Sequence, residues 1–245
     1  MISTEQNLDM DTISIADVAI AFPYALDILN EYHLDYCCGG KRLFTNACAK
    51  AGADPAEVWS KLNRTRDNRS GDSRMNFASW NVSLLIDFVV QHHHGYVRES
   101  IPRIQELMDK VCNAHGSDTP HLLTVRDNFN ALADELLQHL PKEELILFPA
   151  MRRMFGDTPA EEERNVIVGG LNAPIDVMED EHERAGQLVK EIRVLTQNYT
   201  VPEHACPTYR LAFLMLNQFD NDLMQHIHIE NNILFPKALV ASQLN

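Results

Sequence analysis

The chain has 245 residues, 45% of them hydrophobic, which is enough for one or two domains with a buried core. It carries 21 Lys and Arg against 35 Asp and Glu, and the formal net charge of -14 argues against a nucleic-acid or anionic-membrane surface. The polar N-terminus predicts no signal peptide, no apolar run could span a membrane, and five cysteines do not suit a disulfide framework, so we expect a reduced, cytoplasmic protein.

Four short helices are predicted in the first 63 residues. Ser14 can cap the first, Pro23 can open the second, Gly52 can stop the third, and Asp54-Pro55 can open the fourth. The predicted ranges are 15–21, 23–32, 43–51 and 55–62. Residues 64–76 contain almost nothing apolar and are predicted to be a linker. We therefore expect a small helical domain over 1–63 and a second domain over 77–245.

A pair of adjacent cysteines, Cys37-Cys38, precedes two glycines between the second and third predicted helices. The pair is compatible with two interpretations. In one, the cysteines are small residues in a turn. In the other, they are exposed thiols that bind a soft metal or exchange electrons. A disulfide between adjacent cysteines is disfavoured because its ring is strained.

A motif occurs twice in the second domain, His-x-x-x-Glu followed five residues later by Phe-Pro. It begins at His139 and again at His226, 87 residues apart. On a helix, residues four apart lie on one face, so each motif places an imidazole beside a carboxylate. Single histidines, His94 and His182, precede the two motifs by 45 and 44 residues. Each candidate lies on an apolar helical stripe, which predicts an all-α four-helix bundle with an internal site.

The candidate ligands of this site are His94, His139, Glu143, His182, His226 and Glu230. Buried carboxylates without partners are costly, and metal cations supply the charge that they lack, so we predict a two-metal centre. Four imidazoles and two carboxylates suit iron, and by ligand type also zinc or manganese. The two glutamates can bridge the ions.

Other polar residues on these helices lie near the candidate ligands. Glu135 and Glu181 are interpreted either as a polar channel or supporting partners of the ligands, or as solvated carboxylates. By their angular offsets, His92, His93 and His228 are expected to face outward or to flank the site. Pro141, between His139 and Glu143, is expected to disturb the helix at the metal.

These motifs resemble haemerythrin-like di-iron domains, and Asp35-Tyr36-Cys37-Cys38-Gly39-Gly40 narrows the resemblance to the repair-of-iron-centres proteins, the iron–sulfur cluster repair family. The resemblance covers essentially the whole chain. It implies a haemerythrin-like four-helix bundle preceded by a small helical domain. It also implies two non-haem iron ions, bridged by an oxo group and two carboxylates, on the six residues above.

The resemblance further implies repair of iron–sulfur clusters damaged by nitric oxide or peroxide, by iron donation or by reduction of nitric oxide to nitrous oxide. Damaged iron–sulfur proteins would be the partners, with nitric oxide or oxygen as small ligands and a homodimer as one assembly. A non-catalytic oxygen or nitric-oxide sensor or carrier is the alternative, against which the Cys37-Cys38 domain argues. A hydrolytic di-zinc enzyme is weakly supported because no nucleophile is evident.

Overall fold

The computed structural model describes residues 8–22, 25–68, 76–155, 170–203 and 205–242. Throughout these ranges the regular secondary structure is helical, and the one β-type feature is an isolated bridge between Ser14 and Leu43. The predicted all-α class is therefore confirmed. None of the helices in the described ranges combines the length and the apolar character that crossing a bilayer would require.

Backbone contacts divide the chain into two compact units. The first unit comprises residues up to Asn81 together with Ile227–Pro236, and the second comprises Val82–His226 and the residues from Lys237 onward. The predicted domain bounds at 63 and 77 are not tested by this division and stay a prediction.

The first unit contains four helices near the predicted positions: α1 Ile15–Ala21, α2 Ala25–Glu31, α3 Phe44–Ala51 and α4 Pro55–Asn68. The Ser14 hydroxyl caps α1 by accepting the Asp17 N–H at 3.0 Å. Gly52 ends α3 with φ 73°, a left-handed conformation that favours glycine. Helix α4 continues past the predicted end at Leu62, so the first part of the predicted linker is helical. Residues 69–75 of that linker lie outside the described residues.

The remaining helices follow in chain order after a short 3₁₀ turn at Phe77–Ser79. They are α5 Val82–Phe88, α6 Gly95–His115, α7 His121–Lys142, α8 Phe148–Met154, α9 Asn172–Leu195, α10 Pro207–Ile229 and α11 Phe235–Ser242. The long helices α6, α7, α9 and α10 form the predicted four-helix bundle, in which α7 packs against α6 and α9. The apolar positions expected from the 3.6-residue spacing are buried in the structure. Examples are Ile104, Phe129, Val189 and Leu216.

Three π-helical turns, each wider than an α-helical turn, join consecutive helices at Val89–His94, Glu143–Leu147 and Glu230–Leu234. Such turns are rare and occur frequently at functional sites. Two of them begin at a motif glutamate and end just before the Phe-Pro pair. Proline has no N–H, so it fits where a widened turn already interrupts the regular bonding of the helix. The backbone stays helical through Pro141, and the wider turn starts two residues later, at Glu143.

Candidate metal centre

All six predicted ligand residues are buried in the structure. His94 ends the first π turn, His139 lies in α7, His182 in α9 and His226 in α10, and each glutamate begins a π turn. None of the six is more than 3% exposed, and both glutamates are at 0%. Ionisable side chains are seldom buried this completely unless they are paired or bind metals.

The structure brings these side chains together in two groups. The first group is His94, Glu143, His226 and Glu230, and the second is His139, Glu143, His182 and Glu230. Within each group, the candidate ligand atoms lie within 4.8 Å of one another. Glu143 and Glu230 belong to both groups, and Glu230 begins the π turn that continues the helix of His226 without a break. The arrangement is therefore two adjacent four-ligand sets that share two carboxylates.

Within the bundle, the histidines face each other in pairs. The Nε2 atoms of His94 and His226 are 3.2 Å apart, and those of His139 and His182 are 3.1 Å apart. Oε2 of Glu143 lies 3.4 Å from Nε2 of His94 and 3.2 Å from Nε2 of His139. One carboxylate therefore reaches both histidine pairs, as a bridging carboxylate must.

Two further carboxylates contact the outer nitrogens of two of these histidines. Oε1 of Glu144 lies 2.7 Å from Nδ1 of His94, and Oε2 of Glu181 lies 2.8 Å from Nδ1 of His139. A carboxylate at Nδ1 favours the tautomer with a proton there, which leaves the Nε2 lone pair available to a metal. Glu181 was one of the predicted supporting partners. Glu144 was not predicted, although its position next to a motif glutamate was a signal for it.

The supporting carboxylates are themselves paired with cations. Arg98 donates to Glu144 at 2.8 Å, and Lys142 donates to Glu181. Burial alone would raise the pKa of Glu181, but the hydrogen bonds from Lys142 and His139 outweigh it and lower that pKa below its ordinary value. Glu181 is therefore an anion at neutral pH, which is the state that can accept the His139 Nδ1–H.

A cleft of about 140 Å³ lies beside the second histidine pair. It is lined by His139 and His182, by the predicted channel residues Glu135 and Glu181, and by Lys142 and Arg184 among others. The Oε2 atom of Glu135 is buried without a hydrogen-bond partner among the residues that the structure describes. The two predicted channel carboxylates thus line one polar cleft that reaches the candidate ligands.

Of the three histidines expected to face outward or to flank the site, two are buried. His93 is 0% and His228 is 2% exposed, so neither faces outward. His93 stacks on His226 with the ring centroids 5.4 Å apart and the planes 3° apart. His93 therefore flanks the site, which is one of its two predicted positions. His92 is exposed, as predicted.

In the first unit, the Cys37-Cys38 turn is organised by Asp35. Oδ1 of Asp35 accepts the backbone N–H groups of Cys38 at 3.1 Å and Gly39 at 2.9 Å. The two sulfurs are 3.5 Å apart, but Cys37 is buried, so of the two interpretations that of an exposed thiol does not apply to this residue. Burial, followed by the hydrogen bond with Cys38, raises the pKa of Cys37 well above its ordinary value. Cys37 is therefore a neutral thiol in this conformation.

The turn packs against the segment Ile227–Pro236 of the same unit. The Asn232 side-chain amide donates to the carbonyl oxygens of Tyr36 at 3.2 Å and Cys37 at 3.3 Å. A Cβ atom added to Gly40 would lie 2.7 Å from Oδ1 of Asn232 and 2.9 Å from Cβ of Ala16, so a larger residue would disturb this contact. The Tyr36 ring meets His228 edge-on at 5.3 Å. His228 is kept neutral because burial lowers its pKa to about 4.

Comparisons with known proteins agree with these observations. Residues 85–238 match the haemerythrin HHE cation-binding domain, and residues 11–66 match ScdA_N, a domain of unknown function (DUF542). The iron-sulfur cluster repair protein YtfE of Yersinia pseudotuberculosis serotype IB (strain PB1/+) is 35% identical over 95% of this chain and 99% of its own length. YtfE of Yersinia pestis (strain Pestoides F) matches with the same identity and coverage. The chain therefore belongs to the haemerythrin HHE family and, within it, to the group of YtfE-type iron–sulfur cluster repair proteins.

Proposed function

We propose that the two His-Glu groups hold a di-iron centre. His94 and His226 would bind one ion, His139 and His182 the other, and Glu143 and Glu230 would bridge them together with an oxo group. The observation that carries this proposal is the pair of ligand sets sharing two fully buried carboxylates. Two divalent ions supply more positive charge than the two carboxylates supply negative charge, so the burial of both becomes favourable. The imidazole-rich donor set fits iron.

The centre would serve the repair of iron–sulfur clusters damaged by nitrosative or oxidative stress. This role is supported by relatives that are named iron-sulfur cluster repair proteins and that align over 95% of this chain. Damaged iron–sulfur proteins would be the partners, in the cytoplasm, with a homodimer as one possible assembly. With two histidines and two shared carboxylates for each ion, coordination positions stay open for a small ligand.

Repair would proceed by iron donation, by reduction of nitric oxide to nitrous oxide, or by both. When bound, the iron supplies a site for nitric oxide and electrons to reduce it. Through their contacts with Nδ1, Glu144 and Glu181 would favour the tautomers of His94 and His139 in which Nε2 is free to bind a metal. The cleft lined by Glu135 and Glu181 offers a polar path along which an ion, a proton or a small ligand can reach the histidine pair.

Metal analysis of the full chain purified from cells tests the centre. We expect about two irons per chain and the near-ultraviolet absorption of an oxo bridge. Glu143→Gln removes the charge of a bridging ligand and should lower the iron content to one or fewer per chain. Glu99→Gln is the matched control, because Glu99 has a side chain that is 74% exposed, and it should keep two irons. Zinc in place of iron, or equal iron in both variants, would contradict the proposal.

A repair assay separates the possible functions. The iron-loaded protein is added to an iron–sulfur enzyme that nitric oxide has inactivated, and the recovery of activity is followed together with nitrous oxide release. Recovery with nitrous oxide supports reductase chemistry, and recovery without it supports iron donation. Reversible binding of nitric oxide or oxygen without recovery would favour the sensor or carrier alternative.

A further inference from the structure

A second cluster of potential metal ligands lies beside the proposed di-iron centre, in the second unit. It consists of His92 and His93, from the first π turn, and Asp222 of α10. One candidate ligand atom from each residue lies within 4.8 Å of the other two. None of the three was among the predicted ligands.

Two members of this cluster, buried His93 and half-buried Asp222, have polar atoms without a hydrogen-bond partner. Nδ1 of His93 lies 3.0 Å from Oδ1 of Asp222, while Nε2 of His93 and Oδ2 of Asp222 are buried without a hydrogen-bond partner among the residues that the structure describes. Oδ2 of Asp222 is therefore available to a ligand beside the contact between His93 and Asp222. A separation of 3.0 Å also suits two neighbouring ligand atoms of one ion, since bonds of about 2.1 Å at right angles span about 3.0 Å.

The third member gives the cluster access to solvent. His92 is exposed, and its ring stacks on Phe88, one turn earlier, with the centroids 4.9 Å apart and the planes 21° apart. The stacking restrains the His92 ring next to His93, whose centroid is also 4.9 Å away. The three side chains therefore run from the surface to the buried ring that stacks on His226.

We propose that His92, His93 and Asp222 form a third, mononuclear site for a divalent first-row transition ion such as Fe²⁺ or Zn²⁺. Two imidazoles and one carboxylate with open positions are a donor set that such ions bind in proteins. Because His92 is exposed, the ion exchanges with solvent more readily than ions on fully buried residues. The site is separate from the six residues of the di-iron centre.

The test counts Zn²⁺ bound to the full chain. Metal-free protein is equilibrated with a slight excess of Zn²⁺, passed through a desalting column and analysed for zinc. We expect His92→Ala to bind one ion fewer than the unmodified chain and Asp222→Asn to do the same. A brief treatment with a weak chelator should release one ion from the unmodified chain and none from His92→Ala.

His121→Ala is the matched control, because it removes another exposed histidine at the start of a helix and should leave the count unchanged. His92 is at the surface, so circular dichroism should show an unchanged helix content. The comparison uses a difference of one ion and therefore does not depend on how many ions the buried centre holds. Equal zinc counts for the unmodified chain and His92→Ala would overturn the proposal, whether or not the di-iron centre exists.

Discussion

Individual thiols of this chain differ in their readiness to ionise. Sγ of Cys206 lies 3.3 Å from Nε2 of His115, and this hydrogen bond, with the N–H of Tyr209, lowers the pKa of Cys206 below its ordinary value. Burial raises the pKa of Cys48 to about 11 and also raises that of Cys112. Because the thiolate is the nucleophile, we expect Cys206 to be the most reactive of these three residues.

We therefore expect iodoacetamide near neutral pH to modify Cys206 faster than Cys48 or Cys112. The rate at Cys206 should rise with pH and approach its plateau at a lower pH than the other two, because its thiolate forms first. Peptide mass spectrometry over a series of reaction times measures each rate. His115→Ala should slow Cys206 several-fold, whereas His121→Ala should not. Equal rates for the three cysteines would show that the His115 contact does not activate Cys206.

At the scale of single elements, helix periodicity predicts most of the site. The spacing of four in His-x-x-x-Glu places His139 beside Glu143 because α7 is a regular helix up to the start of the π turn, and their Nε2 and Oε2 atoms are 3.2 Å apart. His93, which was expected to face outward or to flank the site, flanks it, because its ring stacks on that of His226. The burial of His228 depends on Tyr36, which is distant in sequence, so no local pattern could predict it.

An ionic cluster joins α9 to α10 within the bundle. Arg193 donates from Nε and from one terminal nitrogen to the two carboxylate oxygens of Asp220, both at 2.5 Å. The Tyr199 hydroxyl donates to the same carboxylate at 2.7 Å. The side chains of Arg193 and Asp220 are only 11% and 3% exposed, so each charge depends on the other.

Replacing Asp220 by Ala should therefore destabilise the bundle. Loss of one partner leaves the Arg193 charge buried, and removing one member of such a pair costs about 3–5 kcal/mol. The free energy of unfolding from denaturant titration measures the effect. Asp176→Ala, which changes an exposed aspartate of α9, should stay within about 0.5 kcal/mol of the unmodified chain. A loss of less than about 1 kcal/mol for Asp220→Ala would mean that water solvates Arg193 in the variant.

At the scale of the whole molecule, the family segments and the compact units do not coincide. The haemerythrin match covers residues 85–238, yet Ile227–Pro236 belongs to the unit formed by residues up to Asn81. Sequence composition predicted a boundary in the polar stretch 64–76, because a linker is a local feature. It could not predict that a late helical segment joins the first unit, since this depends on contacts such as Asn232 with Tyr36.

The contact between Asn232 and the thiol turn leads to a prediction for the chain as a whole. The Asn232 amide donates to two carbonyl oxygens of the turn, those of Tyr36 and Cys37. In Asn232→Ala both hydrogen bonds are lost, which costs about 1–2 kcal/mol in total. Conformations in which the turn moves away from Asn232 and exposes Cys37 should become about five- to thirtyfold more populated. A change of about 1–2 kcal/mol shifts an equilibrium by that factor. Buried Cys37 should then react with a thiol reagent faster by a similar factor.

The measurement is the rate of Cys37 labelling by N-ethylmaleimide, followed by peptide mass spectrometry on the native full chain at constant pH. Asn221→Ala is the matched control, because Asn221 is a half-buried asparagine of α10 with a hydrogen bond to Asn217 at 3.3 Å. Cys206 lies in the other unit, so its labelling rate would rise only if the substitution destabilised the whole chain. We expect that rate to be unchanged. An unchanged Cys37 rate in Asn232→Ala would show that Asp35 and the glycines hold the turn closed without this contact. A faster rate would identify Asn232 as the residue that controls access to the Cys37 thiol.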